Sequence, residues 1–441
     1  MNIATNLFNK YNSPESLLVI SSFPKNGGEV ADENAVARYA HLLLTHFPKS
    51  KKIIVLCEKR QKNERSYELT KNILVVPTYQ RGSPKLFPQI QRNLNKLNQV
   101  KDIHIQFEFS IYGGKESIPA VLTLLFSNWL KGKYTTIMLH QVVEDINTLS
   151  GHLGLAKNSP RARLFNSLLR NFYRQIGLFT NLVLVHDKEL KSKLSRFIDS
   201  SKVLVIPHGG SEPEKPSLAL RKQVRSKYHL KDNDFVILAF GYHSWYKGTD
   251  WIVREVGELA QTNKNVRLLL AGDQSPTLKD TDAYHKYHQK LTEEINKYGQ
   301  SIITTGFVPE GKVKGIFAAA DLVVFPYRTR MSASGALSLA WGYQKPFIAS
   351  RPFASNFKEN DVAQIMKDQS VLHKEVAFKL TRNSFQNIVT NIIKNKPLQK
   401  KLSAIGKNIA LQRQWANVAE SYNFACTHPA LRTYPIALLS T

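Results

Sequence analysis

Cysteine is almost absent from this chain, which has two cysteines among 441 residues. Cys57 and Cys426 lie far apart, and neither stands in a CxxC motif or near a spaced pair of histidines. This arrangement argues against thiol redox chemistry and against a cysteine-ligated metal. We expect both residues to be reduced thiols in a cytoplasmic protein.

Long hydrophobic runs are also missing. The longest run, from Pro119 to Leu130, is interrupted by Ser127 and Asn128 and is far shorter than the ~20 apolar residues that a bilayer span needs. The first residues, MNIATNLFNKYNSPES, are polar and lack the apolar core of a signal peptide. We therefore expect a protein that is neither secreted by that route nor integral to a membrane.

Acidic residues are scarce, with 34 Asp and Glu against 61 Lys and Arg and a net charge of +27 at pH 7. Such an excess indicates a polyanionic partner, which can be nucleic acid, anionic lipid or nucleotide phosphate. Between Lys157 and Lys202 there are ten basic and three acidic residues, a net charge of +7. Here Leu164, Leu168 and Phe172 share a helical face bordered by arginines. That pattern fits a helix on a membrane interface and equally a core helix with a solvated basic side.

The chain does contain short, β-branched apolar runs that alternate with helical stretches over almost its whole length. This alternation is typical of βαβ units on parallel sheets and predicts the α/β class. The length favours two domains. The predicted strands are 17–22, 53–57, 73–76, 103–107, 135–139, 182–185 and 203–206, and then 235–240, 266–271, 301–304, 322–325 and 346–349.

A stretch rich in Gly, Pro and Ser, with no apolar periodicity, separates the two sets of strands and predicts a linker. We expect a weakly ordered N-terminus at 1–15, a first Rossmann-like domain at 16–207, the linker at 208–230, a second Rossmann-like domain at 231–410, a helix at 411–426 and a tail at 427–441.

Polar and glycine residues follow several strands of the first domain, at the edge where open α/β sheets bind ligands. Gly27 and Gly28 lie between the first strand and a helix, where free amides can approach a phosphate, although the spacing is not GxGxxG and a plain turn is an alternative. Glu108 and Tyr112 follow the fourth strand. His140 ends the fifth and can bind a sugar hydroxyl or a phosphate, or be structural.

The second domain places Gly241 at the end of its first strand and Lys247 in the loop that follows. A lysine there can neutralise a departing diphosphate. Further on, a strand leads into a Ser/Gly loop and a helix that begins near Ser334 and Gly335. The amides at such a helix start, supported by its dipole, predict a phosphate site facing Lys247.

Taken together, these motifs resemble the retaining glycosyltransferases of family 4, which have the GT-B architecture of two Rossmann-like domains facing a central cleft. The resemblance runs from about Leu17 to Phe424 and rests on FPKNGG, IQFEFSIYGG, VLVIPHG, FGYHSWYKG, LLLAGD, TGFVPEGKVKGIFAAADLVVFPY and SASGALSLAWGYQKPFIAS. It implies an enzyme without metal or other cofactor that binds a nucleoside-diphosphate sugar on its second domain and an acceptor on its first. The end of the chain, QRQWANVAESYNF, resembles the helix that in this family crosses back to pack on the first domain, which implies this role for the helix at 411–426.

The resemblance also assigns roles to individual residues. On the donor side it implies diphosphate binding by Lys247, a base pocket at Phe307 and Val308, phosphate-binding amides at Ser334, Gly335 and Ala336, and further donor contacts at Gly28 and Gly241. On the acceptor side it implies Gly27, Glu108 and Tyr112, with His140 and Gly28 facing the transferred sugar and His140 and Lys247 as the catalytic pair.

The chain departs from this family in its phosphate loop. Many members carry two glutamates eight residues apart, and the corresponding positions here are Met331 and Leu339. An arginine that often precedes the lysine is replaced by Tyr242. A diphosphate contact is therefore missing, or another group such as Arg328 or Arg330 supplies it.

The reading that these observations favour is a hexosyltransferase with retention, acting on a glycan or a lipid-linked acceptor. We expect it to be cytoplasmic and peripheral on the inner face of the plasma membrane, held by anionic lipid. An inactive GT-B protein that serves as a binding module is the first alternative. A nucleic-acid-binding protein is disfavoured because no RRM, KH, helix-turn-helix or zinc-finger signature accompanies the charge. A Rossmann dehydrogenase lacks its glycine fingerprint.

Overall fold

The computed structural model describes residues 3–26, 34–61, 63–113, 117–149, 156–276, 278–330 and 332–427. Its strands form two separate sheets, one of eight strands and one of six, and each sheet is built from one half of the chain. The two-domain α/β prediction is therefore confirmed.

The first sheet has the strand order β3-β4-β2-β1-β5-β6-β7-β8, and all neighbours are parallel except β3, which pairs antiparallel with β4 at the edge. Its strands are β1 Leu17–Ile20, β2 Ile53–Glu58, β3 Tyr67–Thr70, β4 Ile73–Tyr79, β5 Asp102–Phe107, β6 Tyr134–Leu139, β7 Leu182–Val185 and β8 Val203–Val205. The helices of this half are α1 Ile3–Tyr11, α2 Ala35–Thr45, α3 Leu86–Lys96, α4 Ser117–Leu130, α5 Pro160–Phe179 and α6 Lys188–Leu194.

The second sheet is parallel throughout and has the order β11-β10-β9-β12-β13-β14. Its strands are β9 Phe235–Phe240, β10 Val266–Ala271, β11 Ile302–Thr304, β12 Leu322–Phe325, β13 Phe347–Ser350 and β14 Ala377–Phe378. The helices are α7 Leu218–Lys227, α8 Thr249–Thr262, α9 Asp282–Lys297, α10 Glu310–Ala319, α11 Gly335–Gly342, α12 Asn360–Asp368, α13 His373–Val376, α14 Arg382–Lys394, α15 Lys396–Gln412 and α16 Trp415–Thr427.

Burial on both faces explains why the central strands read as continuous apolar runs. All four residues of β1, β7, β12 and β13 are buried. Parallel strands covered by helices on both sides have this pattern, since neither face meets water. These strands therefore lie in the middle layer of their three-layer domains, two in each domain.

The last helix, α16, packs on the first domain and not on the second. Trp415, Tyr422 and Cys426 are buried in the same cluster as Leu17 and Tyr39. The hydroxyls of Tyr39 and Tyr422 are 2.9 Å apart. The chain therefore crosses the domain boundary twice.

Three segments differ from the expectations drawn from sequence. The segment 1–15, expected to be weakly ordered, contains α1, whose Tyr11 is fully buried and donates a hydrogen bond to Glu68. The expected linker contains α7, because Arg225 on that helix is buried against Asp321 of the second domain. Of the tail, residues 428–441 lie outside the described part of the chain.

The amphipathic pattern of α5 is also only partly as predicted. Leu164 and Leu168 are exposed, but Phe172 is 3% exposed and packs against the rings of Phe107 and Phe109. The predicted apolar face is therefore divided between the core and the surface, because the helix rests on the domain along its middle.

Candidate functional site

The cleft lies between the carboxyl ends of the two sheets, and contacts across it show that these ends face each other. Gln141, just after β6, forms an antiparallel bridge with Ser332 in the loop after β12. Arg38 on α2 forms an ion pair with Glu310 on α10. The loops that follow the strands of both sheets therefore line the same cleft.

Glycines let the strand ends of the second sheet come close together. A Cβ on Gly272, after β10, would lie 2.1 Å from the carbonyl oxygen of Gly241, after β9. Both glycines have positive φ angles, +150° and +116°, which side-chain-bearing residues rarely adopt. The segments that follow β9 and β10 therefore pack backbone against backbone at this edge.

Lys247 lies at this edge, in the loop between β9 and α8. A Cβ on Gly241 would be 3.1 Å from its Nζ. Burial lowers the pKa of Lys247 to about 8, and the amine lies 5.9 Å from the ring centroid of Tyr246, with no carboxylate of the described residues paired with it. A partly buried cation without an anion attracts a negatively charged ligand.

The phosphate-loop region is fixed directly beside Lys247. The amide of Arg328 donates to the carbonyl of Tyr246 at 2.7 Å, and a Cβ on Gly248 would lie 2.1 Å from the carbonyl of Pro326. The segment after β12 therefore runs alongside the lysine loop. Of this segment, Met331 lies outside the described residues.

Helix α11 begins where the sequence predicts. Ser334 is its N-cap, and its side chain accepts a hydrogen bond from the amide of Leu337 at 3.3 Å. Gly335 is exposed, whereas Ala336 and Leu339 pack on the core of the second domain. The amides of the first turn, at Gly335 and Ala336, have no intrahelical acceptor and are oriented toward the start of the helix.

Neither arginine suggested as a diphosphate ligand is free. Arg328 makes two hydrogen bonds of 2.7 Å to the carboxylate of Asp250. Arg330 is 4% exposed and forms an ion pair with Asp187, which follows β7 of the other domain. Both guanidinium groups therefore have structural carboxylate partners.

Around Arg330 the contacts form what we call the interdomain latch. Arg330 also donates to Ser355 at 2.8 Å and to Asn356 at 2.6 Å, while Lys193 donates to the carbonyl of Arg330 at 3.1 Å. Burial raises the pKa of Asp187, and the charge of Arg330 opposes that rise. The latch ties the phosphate-loop segment to the first domain, and nothing in the sequence pairs these residues.

Phe307 and Tyr242 stand on either side of the β10 loop. Their rings are 6.4 Å apart between centroids and inclined by 19°, and both side chains are exposed. Val308, next to Phe307, is partly buried against the domain core. An exposed pair of nearly parallel rings offers a stacking surface for a planar group.

His140 lies at the end of β6 as predicted, but both of its ring nitrogens are engaged. Nε2 is 2.6 Å from the Gln106 side-chain oxygen, and Nδ1 is 3.1 Å from Nε2 of His186. Burial lowers the pKa of His140 to about 3, so the ring is neutral. Its side chain is therefore part of a buried network, and only the C–H edge of the ring is left to contact a sugar.

This histidine network continues in both directions from His140. His104 contacts Gln106 at 2.9 Å and Thr136 at 2.8 Å, and Nδ1 of His186 is 3.2 Å from the carbonyl of Ile206. When the oxygen and nitrogen of the Gln106 amide are exchanged, its NH₂ group donates to His140 and its oxygen accepts from His104. Each imidazole then donates one hydrogen bond and accepts one. A run of neutral rings thus extends from the sheet interior to the crossover after β8.

The residues predicted on the acceptor side fall into three groups. Glu108 is partly buried, accepts a hydrogen bond from Ser110 at 2.8 Å, and has a pKa that burial raises. Its charge acts on Tyr246 across the cleft. Tyr112 is a core residue instead, 1% exposed, with its hydroxyl bonded to two backbone carbonyls. Gly27 and Gly28 lie outside the described residues.

Sequence reasoning missed His208, which lies in the crossover after β8. Its Nδ1 is 2.6 Å from the carbonyl of Gly209 and 3.3 Å from the hydroxyl of Ser338 on α11. The ring therefore contacts the first turn of the phosphate-loop helix. The histidine of VLVIPHG was the signal for this position, although the sequence cannot show which helix it meets.

Comparison with known proteins agrees with this arrangement. Residues 234–374 match the family model described as Glycosyl transferases group 1. The matched segment contains Lys247 and the start of α11. None of the curated proteins compared with the sequence matches it.

Solved structures are similar over nearly the whole chain. Sucrose-phosphate synthase from Thermosynechococcus elongatus is 14% identical, with a TM-score of 0.68 over 93% of this chain and 98% of that one. Alr3699/HepE from Anabaena in complex with UDP-glucose is 16% identical, with a TM-score of 0.64 over 93% and 98%. A trehalose-6-phosphate protein from E. coli bound with UDP-2-fluoro glucose is 11% identical, with a TM-score of 0.65 over 95% and 99%. The two domains have the GT-B fold.

Proposed function

From a glycosyl transferases group 1 domain carried on the GT-B fold, we propose that this protein transfers a hexosyl group from a nucleoside-diphosphate sugar to a glycan or lipid-linked acceptor, with retention at the anomeric carbon. The observation that carries the proposal is Lys247, a cation without a carboxylate partner in the described residues. Its loop is hydrogen-bonded through Tyr246 to Arg328, in the segment that leads from β12 to the free amides of α11. A diphosphate is the anion that both elements fit.

In the proposed reaction the bond between the anomeric carbon and the diphosphate oxygen breaks, and the diphosphate leaves with the electron pair. The oxygen of an acceptor hydroxyl forms the new bond on the same face of the anomeric carbon, and its proton passes to the departing diphosphate. Lys247 and the first-turn amides of α11 stabilise the charge that develops there, which lowers the barrier most where water is excluded. Glu108 faces the acceptor. The proposed mechanism uses no metal, since the ammonium and the amides provide the positive charge.

A panel of nucleotide sugars tests this function, and UDP-glucose comes first because it is bound in the similar HepE structure. A cognate donor at 100 times its dissociation constant is expected to stabilise the fold by about 2.7 kcal/mol, seen as a raised melting temperature. Release of nucleoside diphosphate in the presence of acceptor then shows turnover.

The outcomes separate the alternatives. Stabilisation by a nucleotide sugar without release of nucleoside diphosphate, with any glycan or lipid-linked acceptor supplied, would identify an inactive binding module. Failure of every UDP-, GDP- and ADP-sugar to stabilise the protein would contradict the proposal itself.

We further propose that the enzyme binds the cytoplasmic face of an anionic membrane through α4 and α5. None of the helices in the described part of the chain combines the length and apolar character that crossing a bilayer requires. Instead, the rings of Phe126 and Trp129 on α4 contact Phe179 on α5 at 5.2 and 5.8 Å, which joins the two helices into one surface. Its exposed apolar side chains are Phe126, Trp129, Leu130, Leu164, Phe165, Leu168 and Leu178.

Charge complementarity supports lipid as the partner of this α4–α5 surface. Arg163, Arg170 and Arg174 are all exposed along α5 beside the apolar side chains. Apolar groups flanked by arginines suit the boundary between acyl chains and anionic headgroups. The aromatic part on α4 was not predicted, since its helical pattern alone reads as a buried helix.

Reversing the three arginines to glutamate, in the variant R163E/R170E/R174E, is expected to weaken binding to anionic vesicles at least 100-fold, since each basic residue near such a surface contributes about 1 kcal/mol. Sedimentation with vesicles containing phosphatidylserine measures the loss. Donor binding should be unchanged because Lys247 lies on the other domain.

The matched control is K286E/K290E/K297E on α9, whose three lysines are exposed on the second domain. It changes the net charge equally and should bind vesicles almost as the wild type does. Equal loss in both variants would show that net charge alone, and not the α4–α5 surface, governs the interaction.

A further inference from the structure

His208 lies in the crossover after β8, where the chain passes from the first domain to the second beside α11. A Cβ on Gly335, the first residue of α11, would lie 4.0 Å from its Nε2, with no other atom of the described residues as close. Ser338, one turn later, meets Nδ1 at 3.3 Å. The imidazole therefore lies along the first turn of the helix whose amides face the cleft.

The hydrogen bonds of His208 fix which nitrogen is available. Because the Gly209 carbonyl 2.6 Å from Nδ1 can only accept, Nδ1 carries a proton. In the neutral ring, Nε2 then has a lone pair. Among the described residues no hydrogen bond to Nε2 is found, so it faces Gly335 without a partner.

The groups around His208 are positive or neutral. Arg38 on α2 and Arg413 before α16 both act to lower its pKa, and burial, the larger cause, brings it to about 4. His186, 5.6 Å away between ring centroids, is itself held neutral by burial, and Tyr39 and Trp415 complete the surroundings. Arg38 is paired with Glu310, and Arg413 with Asp361.

A neutral imidazole in these surroundings responds strongly to an anion. A diphosphate at the start of α11 would meet the lone pair of Nε2 unfavourably, whereas an imidazolium would donate to it and add a charge-assisted hydrogen bond. The anion therefore raises the affinity of Nε2 for a proton.

Resting on the function proposed above, we propose that His208 is a ligand of the donor diphosphate and takes up a proton from solvent when the nucleotide binds. The proton enters at Nε2 and is held between the imidazole and a phosphate oxygen. When the nucleoside diphosphate leaves, the proton returns to solvent. Protonation of His208 thus makes the wild type bind the donor more tightly.

Calorimetry with UDP, and with GDP and ADP if UDP does not bind, tests the proposal at pH 6.5 in two buffers of different ionisation enthalpy. At this pH Lys247 is already protonated, since its pKa is about 8, so it contributes no uptake. The wild type should take up more protons per nucleotide than H208N, by up to one. The variant should bind about tenfold more weakly or worse, because a hydrogen bond to a charged group is lost.

Two further variants make the result decisive. H208Q keeps a side-chain donor but cannot be protonated, so it should recover part of the affinity and none of the proton uptake. H285N removes an exposed histidine on α9 of the same domain and should match the wild type in both measurements.

Equal proton numbers in wild type, H208N and H208Q would overturn the role of His208 while nucleotide binding, and with it the proposed function, stands. If none of the three nucleoside diphosphates binds the wild type, both proposals fall. Lower affinity in H208N with unchanged proton uptake would show a structural role only and would also overturn the inference.

Discussion

K247A is expected to weaken binding of nucleoside diphosphates about 10- to 100-fold, because it removes a charge-assisted hydrogen bond worth roughly 1.5–3 kcal/mol in a partly buried site. Turnover should fall further, since the charge on the diphosphate is greatest as it leaves. Fluorescence or calorimetric titration with UDP and with the cognate donor measures both effects.

The pH dependence of this binding follows from the pKa of Lys247, about 8 in the free protein. A bound diphosphate favours the protonated amine, so the complex has a higher pKa than the free protein. The contribution of Lys247 to affinity is therefore full below pH 8 and declines as the pH rises above 8, whereas the proton taken up at His208 acts at lower pH. In K247A this decline should disappear.

K312A, at an exposed lysine on α10, is the matched control and should leave affinity and its pH dependence unchanged. Wild-type affinity in K247A would remove Lys247 from the donor site. An unchanged alkaline decline in K247A would assign the titration to another group.

R330M is expected to open the cleft. Arg330 and Asp187 are 1% and 3% exposed in their side chains, and removing one partner of such a pair leaves a buried charge that costs about 3–5 kcal/mol. Since the two groups belong to different domains, separating the domains rehydrates Asp187 and relieves this cost. We expect a larger radius of gyration in solution scattering and a turnover lowered about 100-fold or more.

Acid should partly reverse the effect. Burial raises the pKa of Asp187 above its usual range, and without Arg330 the rise in the closed form is larger. The closed form of R330M then binds a proton more tightly than the open form, so lowering the pH favours closure. The double variant R330M/D187L, which lacks both charges of the pair, should be closed over a wider pH range than R330M.

R382M breaks the ion pairs that Arg382 forms with Glu255 and Glu258 and serves as the control because both partners lie on α8, in the same domain as Arg382. A radius of gyration that is the same in R330M, R382M and the wild type would show that the latch does not hold the domains together.

The strands were predictable because burial dictates their composition. All twelve predicted strands are present, with ends that differ by no more than three residues, since parallel strands between helices must be apolar on both faces. The two that were missed, β3 and β14, are an edge strand of mixed burial and a strand of two residues. Neither has enough buried positions to show a pattern.

The site was predictable where it depends on strand ends and not where it depends on long-range pairing. Lys247 and Ser334 were located by their positions after β9 and before α11. The pairing of Arg330 with Asp187, or of His140 with His186, joins segments that the sequence keeps far apart. No local pattern shows that both ring nitrogens of His140 already have hydrogen-bond partners, or that the Tyr112 side chain is buried in the core.

The packing of α16 on the first domain sets the order in which the chain can mature on the ribosome. The N-terminal half emerges first, yet Trp415, Tyr422 and Cys426 supply part of its interior. The Trp415 ring packs so closely on Gly209 that a Cβ there would lie 2.4 Å from it. Nascent chains usually complete their domains in the order of synthesis, at about 5–20 residues per second. Here the core residues of the second domain, which end at Ala410, are all made before α16, so the first domain keeps an apolar groove uncovered until residues 415–426 have been synthesised.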